Sequence, residues 1–97
     1  MSVFDPAALD PYADKDVHWL LRAQAERRGD APFLIWEPFA GAGRTWSYGE
    51  FYAAVRDTAA GLRARGIGQG DFLLLHANNC PEFLLTWYAC ALIGAVV

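Results

Sequence analysis

An α/β fold is predicted, the incomplete opening part of a larger domain in which two short hairpin strands precede a β-α-β unit. Three observations carry the prediction. Ser47 and Glu50 stand at S-x-x-E spacing ahead of an apolar stripe of helical period. Phe72-Leu73-Leu74-Leu75 is an unbroken apolar run of the kind found in strands covered on both faces. From Phe83 to Val97 the chain carries no charge, with a middle that reads as helix and an end, Val96-Val97, that reads as strand.

In chain order, residues 1–16 are expected to form an irregular lead-in. Asp5-Pro6 and Asp10-Pro11 push the backbone out of the helical region there. The rest, residues 17–97, is expected to belong to one folding unit. Val17, Leu20, Leu21 and Ala25 fall at helical spacing between Asp14 and Asp16 at one end and Arg27, Arg28 and Gly29 at the other, charges that suit the two poles of a helix. Pro32 blocks continuation, and Phe33-Leu34-Ile35-Trp36, closed by Pro38, has strand composition. Gly41-Ala42-Gly43 then turns the chain into Arg44-Thr45-Trp46, which predicts a hairpin with a loop longer than two residues.

The next helix is marked at both ends. Its stripe is Tyr48, Phe51, Tyr52, Val55, Ala59 and Leu62, and Arg63, Arg65 and Gly66 supply the C-terminal signals. After the apolar run, His76 to Cys80 reads as a loop in which Asn78 and Asn79 suit turn hydrogen bonds. Pro81 and Glu82 then suit the first turn of a helix that is apolar nearly all round and is therefore expected to be enclosed by protein. A strand, a buried helix and a second strand make a β-α-β unit with a right-handed crossover. An apolar strand and helix at the very end of the chain lack the layer that should cover them, so further polypeptide of the same chain is the expected partner.

Composition narrows the function classes. The chain has 97 residues, 55% hydrophobic and 20% charged, the balance of a compact domain rather than of a disordered or disulfide-scaffold chain. Net charge is −3 and the arginines form no stripe, which argues against nucleic acid as a partner. Cys80 and Cys90 sit among apolar residues with no secretory leader ahead of them, which suggests a reducing, cytoplasmic setting. The uncharged stretch from Phe83 falls short of the roughly 20 residues that cross a bilayer, so no transmembrane span is expected.

None of the chemistry-bearing patterns rises above its structural explanation. Gly66-Ile67-Gly68-Gln69-Gly70 follows a helix and opens a strand, the reverse of a dinucleotide-binding loop, and Lys15 is the sole lysine, so a Walker-type loop is absent. His76 and Cys80 lie at the C-terminal end of the expected central strand, where open α/β sheets bind ligands. Even so, His18, His76, Cys80 and Cys90 are too few for a zinc centre, and Cys80 and Cys90 are expected to pack as small apolar residues. The tryptophans and tyrosines are expected mainly in the core, and Glu50 and Glu82 as helix-cap residues.

Thr45 to Phe51, the glycine-spaced series from Ala59 to Asp71, and Asn79-Cys80-Pro81-Glu82-Phe83 form an ordered series that resembles the acyl-adenylate-forming family, the acyl-CoA synthetases and related AMP-dependent ligases, near the start of their large N-terminal domain. Thr45-Trp46-Ser47-Tyr48-Gly49-Glu50-Phe51 is similar to the family's T-[YW]-[ST]-Y-x-E-L segment, with Phe51 in place of leucine. Ala59, Leu62, Gly66, Ile67, Gly70 and Asp71 keep its A-x-x-L-x-x-x-G-[IV]-x-x-G-D spacing. Asn79-Cys80-Pro81-Glu82-Phe83, Trp87 and Ile93-Gly94-Ala95 resemble its N-[SC]-P-E-F…W…x-G-A segment, most of all in the carnitine/crotonobetaine-CoA ligase-like and fatty-acid-CoA ligase-like branches.

The resemblance implies a parent enzyme that joins a carboxylic acid to coenzyme A through an acyl-adenylate, using ATP and Mg²⁺. It also implies that the family's ATP-binding loop, ribose-binding aspartate and catalytic lysine lie beyond Val97. No catalytic, cofactor-binding or metal residue is therefore assigned within these residues, and the segment alone is expected to bind no cofactor and to be inactive. The competing expectation is a non-catalytic interaction module that binds a partner chain through its apolar helix and sheet edge.

Overall fold

A computed structural model describes residues 13–97, so most of the expected lead-in over 1–16 lies outside the described residues. The elements are α1 (Val17–Arg28), β1 (Pro32–Trp36), β2 (Arg44–Ser47), α2 (Tyr48–Ala64) and α3 (Pro81–Ile93). The Asp16 side chain caps α1 by accepting the Trp19 N–H at 2.7 Å. β1 and β2 pair antiparallel as a hairpin, as their composition predicts, with Leu34 opposite Trp46 and Trp36 opposite Arg44. The register shifts between Pro32 and Leu34, leaving Phe33 without a partner. That irregularity lets two consecutive residues, Phe33 and Leu34, both pack on the core, which a regular strand of period two forbids.

α2 is the centre of the assembly and packs against α1, α3 and both strands. Phe51 and Val55 on its stripe are completely buried, and Ala59 joins them in the core. Aromatic rings close around Phe51: Phe33 lies 4.7 Å away, and Tyr88 and Trp46 meet it edge-on at 5.6 Å and 6.1 Å. On its outer side the Trp46 ring is covered by the Arg44 guanidinium at 3.4 Å. The start of α2 is also stitched to the end of α1, where Gly49 N–H donates to the Gly29 carbonyl at 3.0 Å. A Cβ at Gly49 would stand 3.2 Å from that same oxygen, so the close approach is why a residue without a side chain suits this position.

Both ends of α2 follow the sequence signals. The end forms a Schellman motif: Gly66 N–H donates to Arg63 and Ile67 N–H to Leu62, with Gly66 at φ +90°. α3 begins at Pro81 with Glu82 in its first turn and stops at Gly94, which is left-handed at φ +76°. No helix among the described residues is long and apolar enough to cross a membrane.

Two expectations are corrected. The run Phe72–Leu75 does not form a central strand. It makes one parallel bridge, Phe72 to Val96, flanked by the Leu73 N–H to Val96 O and Val96 N–H to Asp71 O bonds at 2.8 and 2.7 Å. The β-α-β topology is thus present, but the strand lacks cover: Phe72 is 84% and Leu74 93% exposed. A ladder propagates only where both edges find partners, and a single neighbour of two residues gives it nothing to extend along. α3, in turn, is enclosed on one side only, with Ala89, Cys90 and Ile93 buried and Trp87 exposed, which matches the missing covering layer expected for it. Second, the turn hydrogen bonds expected of Asn78 and Asn79 are not formed among the described residues.

Candidate functional site

Two grooves lie against α3, on the side the core leaves uncovered. One, of about 340 Å³, is bounded by Leu73, Leu74 and Leu75 on the strand segment and by Phe83, Trp87 and Val97. The second, of about 320 Å³, runs from Leu34 and Trp36 on β1 to Cys80, Pro81 and Trp87. Phe83 and Trp87 belong to both and meet edge-on with ring centroids 6.4 Å apart. Their placement follows from sequence: one helical turn separates them, so they share a face of α3, and Pro81 fixes where that helix starts. The lining is almost wholly apolar. Such a surface excludes water and packs against hydrocarbon or polypeptide, and it offers no acid–base pair.

His76 is exposed in the loop, and Cys80 is half-buried at the N-cap of α3 with no hydrogen bond to the helix from its side chain. The two are not brought into contact, so no Cys–His nucleophile is assembled. Cys90 is fully buried in the core and burial pushes its thiol above the ordinary range. Trp46, Tyr48, Tyr52 and Tyr88 pack in or beside the core, as expected, whereas Trp36 and Trp87 line the open grooves, a distinction invisible in their spacing.

Among the described residues, the glycine run is not arranged as a phosphate-binding loop. Backbone N–H groups of the glycine run are committed internally: Gly68 donates to the Asp71 carboxylate at 2.8 Å and Gly70 to the Gly94 carbonyl at 2.9 Å. They are turned into a connector and cannot cradle a phosphate. Lys15 lies at α1, with its ammonium 5.0 Å from the Trp19 ring centroid. Among the described residues no three His, Cys, Asp or Glu side chains gather as metal ligands.

Most of the resembling residues hold the fold, and two, Phe83 and Trp87, line the grooves. Ser47 and Glu50 cap α2, and Ala59 and Leu62 lie on its inner face. Gly66 and Ile67 close its end, and Asp71 ties down the turn before the strand segment. Pro81 and Glu82 open α3, and Gly94 ends it, with Ala95 N–H returning to Cys90 O at 3.0 Å.

Comparison with known proteins shows the family to which these residues belong. The family model for "AMP-binding enzyme" matches residues 21–97. The crotonobetaine/carnitine–CoA ligase of Salmonella paratyphi A is 40% identical over 73 residues, 75% of this chain and 14% of that protein. Among solved structures, the Mycobacterium tuberculosis fatty acyl CoA synthetase superposes with a TM-score of 0.76 at 29% identity, covering 88% of this chain and 16% of that one. The N-terminal domain of FACL13 from the same organism gives a TM-score of 0.73 at 29% identity, over 82% of this chain and 19% of that one. The chain therefore spans about a seventh of the length of the curated relatives it matches, 14%. A family match that runs from residue 21, within α1, to Val97 identifies the chain as a member of the AMP-binding enzymes.

Proposed function

We propose that the chain is an N-terminal structural segment of an ATP-dependent acid–CoA ligase, which converts a carboxylic acid to its CoA thioester by way of an acyl-adenylate. One observation carries the reading. Most of the residues through which the chain resembles CoA ligases form caps, turns and core, while two of them, Phe83 and Trp87, line the grooves along α3 beside the uncovered Leu74. That is the signature of a scaffold whose reacting groups come from elsewhere in the same protein.

On this proposal ATP, Mg²⁺ and coenzyme A serve the whole ligase and are held by residues outside 1–97, and the acid belongs to the fatty-acid or carnitine-related class named in the relatives. Cys80 and Cys90 are both free thiols, which fits a reducing, cytoplasmic setting. Pyrophosphate release with ATP, Mg²⁺ and a panel of carboxylic acids tests the division of labour. The expected result is turnover by a protein in which this chain is continuous with a full ligase and silence from the 97 residues alone. Acid-dependent release by the isolated segment would overturn it.

A further inference from the structure

Arg56 and Arg63 stand two turns apart on one face of α2, and with His18 of α1 they rim a cavity of about 230 Å³ floored by Ala59, Leu92 and Ile93. Two members of the rim, His18 and Arg56, are held through Tyr52. His18 Nε2 and the Tyr52 hydroxyl are hydrogen-bonded at 3.0 Å, and the Arg56 guanidinium lies 5.8 Å from the Tyr52 ring centroid. Neither arginine is ion-paired with a carboxylate among the described residues, although acidic side chains outnumber basic ones, 11 to 8. A lone surface arginine is simply hydrated. Two that overlook one concave apolar floor, built from a second and a third helix, place positive charge where hydrocarbon can be buried beside it.

We propose that this cavity binds a small amphiphilic anion, a carboxylate or phosphate head on a short hydrocarbon body. The head lies between Arg56 and Arg63, whose planar forks match carboxylate and phosphate oxygens, and the body rests on Ala59, Leu92 and Ile93. Its volume is below the 300–1,000 Å³, roughly, of drug-sized pockets, which restricts the ligand to a short chain. The cavity is separate from both grooves along α3, and the proposal does not depend on the ligase reading.

The test uses the intact protein that carries this chain, exposed to the arginine reagent phenylglyoxal and read residue by residue by peptide mass spectrometry. Octanoate and octyl phosphate are the probes, with octanol and inorganic phosphate as controls at the same concentrations. Either anion is expected to protect Arg56 and Arg63, protection by one alone assigning the head group, while the controls leave both residues reactive. The double variant R56Q/R63Q is expected to bind the protecting anion at least tenfold more weakly with an unchanged circular dichroism spectrum. Equal protection by octanol, equal protection by inorganic phosphate, or no protection by either anion overturns the proposal. Because protection is read on the unaltered protein at these two side chains, it is independent of the variant's folding and of acid binding elsewhere.

Discussion

The Ser47 hydroxyl accepts the Glu50 N–H at 3.0 Å while the Glu50 carboxylate accepts the Ser47 N–H at 3.1 Å. This reciprocal pair starts α2, the helix against which every other element packs, so its loss is felt beyond one turn. Ser47→Ala is expected to lower stability by about 1 kcal/mol in urea unfolding, the usual cost of losing an N-cap side chain.

Glu50 also sets a pH dependence. Its carboxyl is held below the ordinary carboxylate range by the Ser47 backbone N–H first, then the Ser47 hydroxyl, with the Arg44 charge adding in the same direction. A value lower in the folded than in the unfolded chain means the contribution is complete above the unfolded value and lost as pH falls through the folded one. Thermal melts of wild type and Glu50→Gln should therefore differ most near neutral pH and converge in strong acid.

Phe51 is the residue whose removal does most damage. It is wholly buried and meets Phe33, Trp46 and Tyr88 ring to ring. Phe51→Ala should cost about 3–5 kcal/mol, and Phe51→Leu, the aliphatic residue of the resembling motif, considerably less. Small domains hold only about 0.1 kcal/mol per residue, so the alanine variant is expected to lose its cooperative denaturant transition.

Two glycines on different helices should respond in opposite directions. Gly94 has φ +76°, and a Cβ there would come 3.1 Å from Gln69 Cγ, so Gly94→Ala is expected to destabilise by about 1–2 kcal/mol. Gly61 lies inside α2 with nothing within 4 Å of a new Cβ, so Gly61→Ala should stabilise by about 0.5–1 kcal/mol. Differential scanning calorimetry of the two variants checks both signs.

The two thiols should separate cleanly in alkylation. Cys80 lines an open groove, whereas Cys90 is enclosed and its burial disfavours the reactive thiolate. Iodoacetamide at neutral pH is expected to label Cys80 in the native chain and Cys90 only after denaturant is added, as read by peptide mass spectrometry.

Much of this architecture is written locally. Asp16, Ser47 with Glu50, and Gly66 each fix a helix end through bonds to residues three positions away, Pro81 sets the start of α3 through its fixed backbone angle, and these marks were readable in order. What was not readable is non-local. Whether Phe72–Leu75 becomes a strand depends on neighbours along both edges, and whether Trp87 is covered depends on what meets α3. Neither is encoded in the apolar character that the two stretches share. The candidate grooves were missed for the same reason. Their one local signal was the placement of Phe83 and Trp87 one turn apart on a helix without charge beyond Glu82.

The most direct measurement of the central claim is acid-dependent pyrophosphate release by a chimera. In it, residues 21–97 replace the matching stretch of the Salmonella paratyphi A crotonobetaine/carnitine–CoA ligase, to which this chain is 40% identical over 73 residues. If these residues are scaffold for the same kind of active site, the chimera folds and releases pyrophosphate in response to ATP and that enzyme's own acid. A chimera that folds, binds ATP and stays silent with every acid tested would contradict the account.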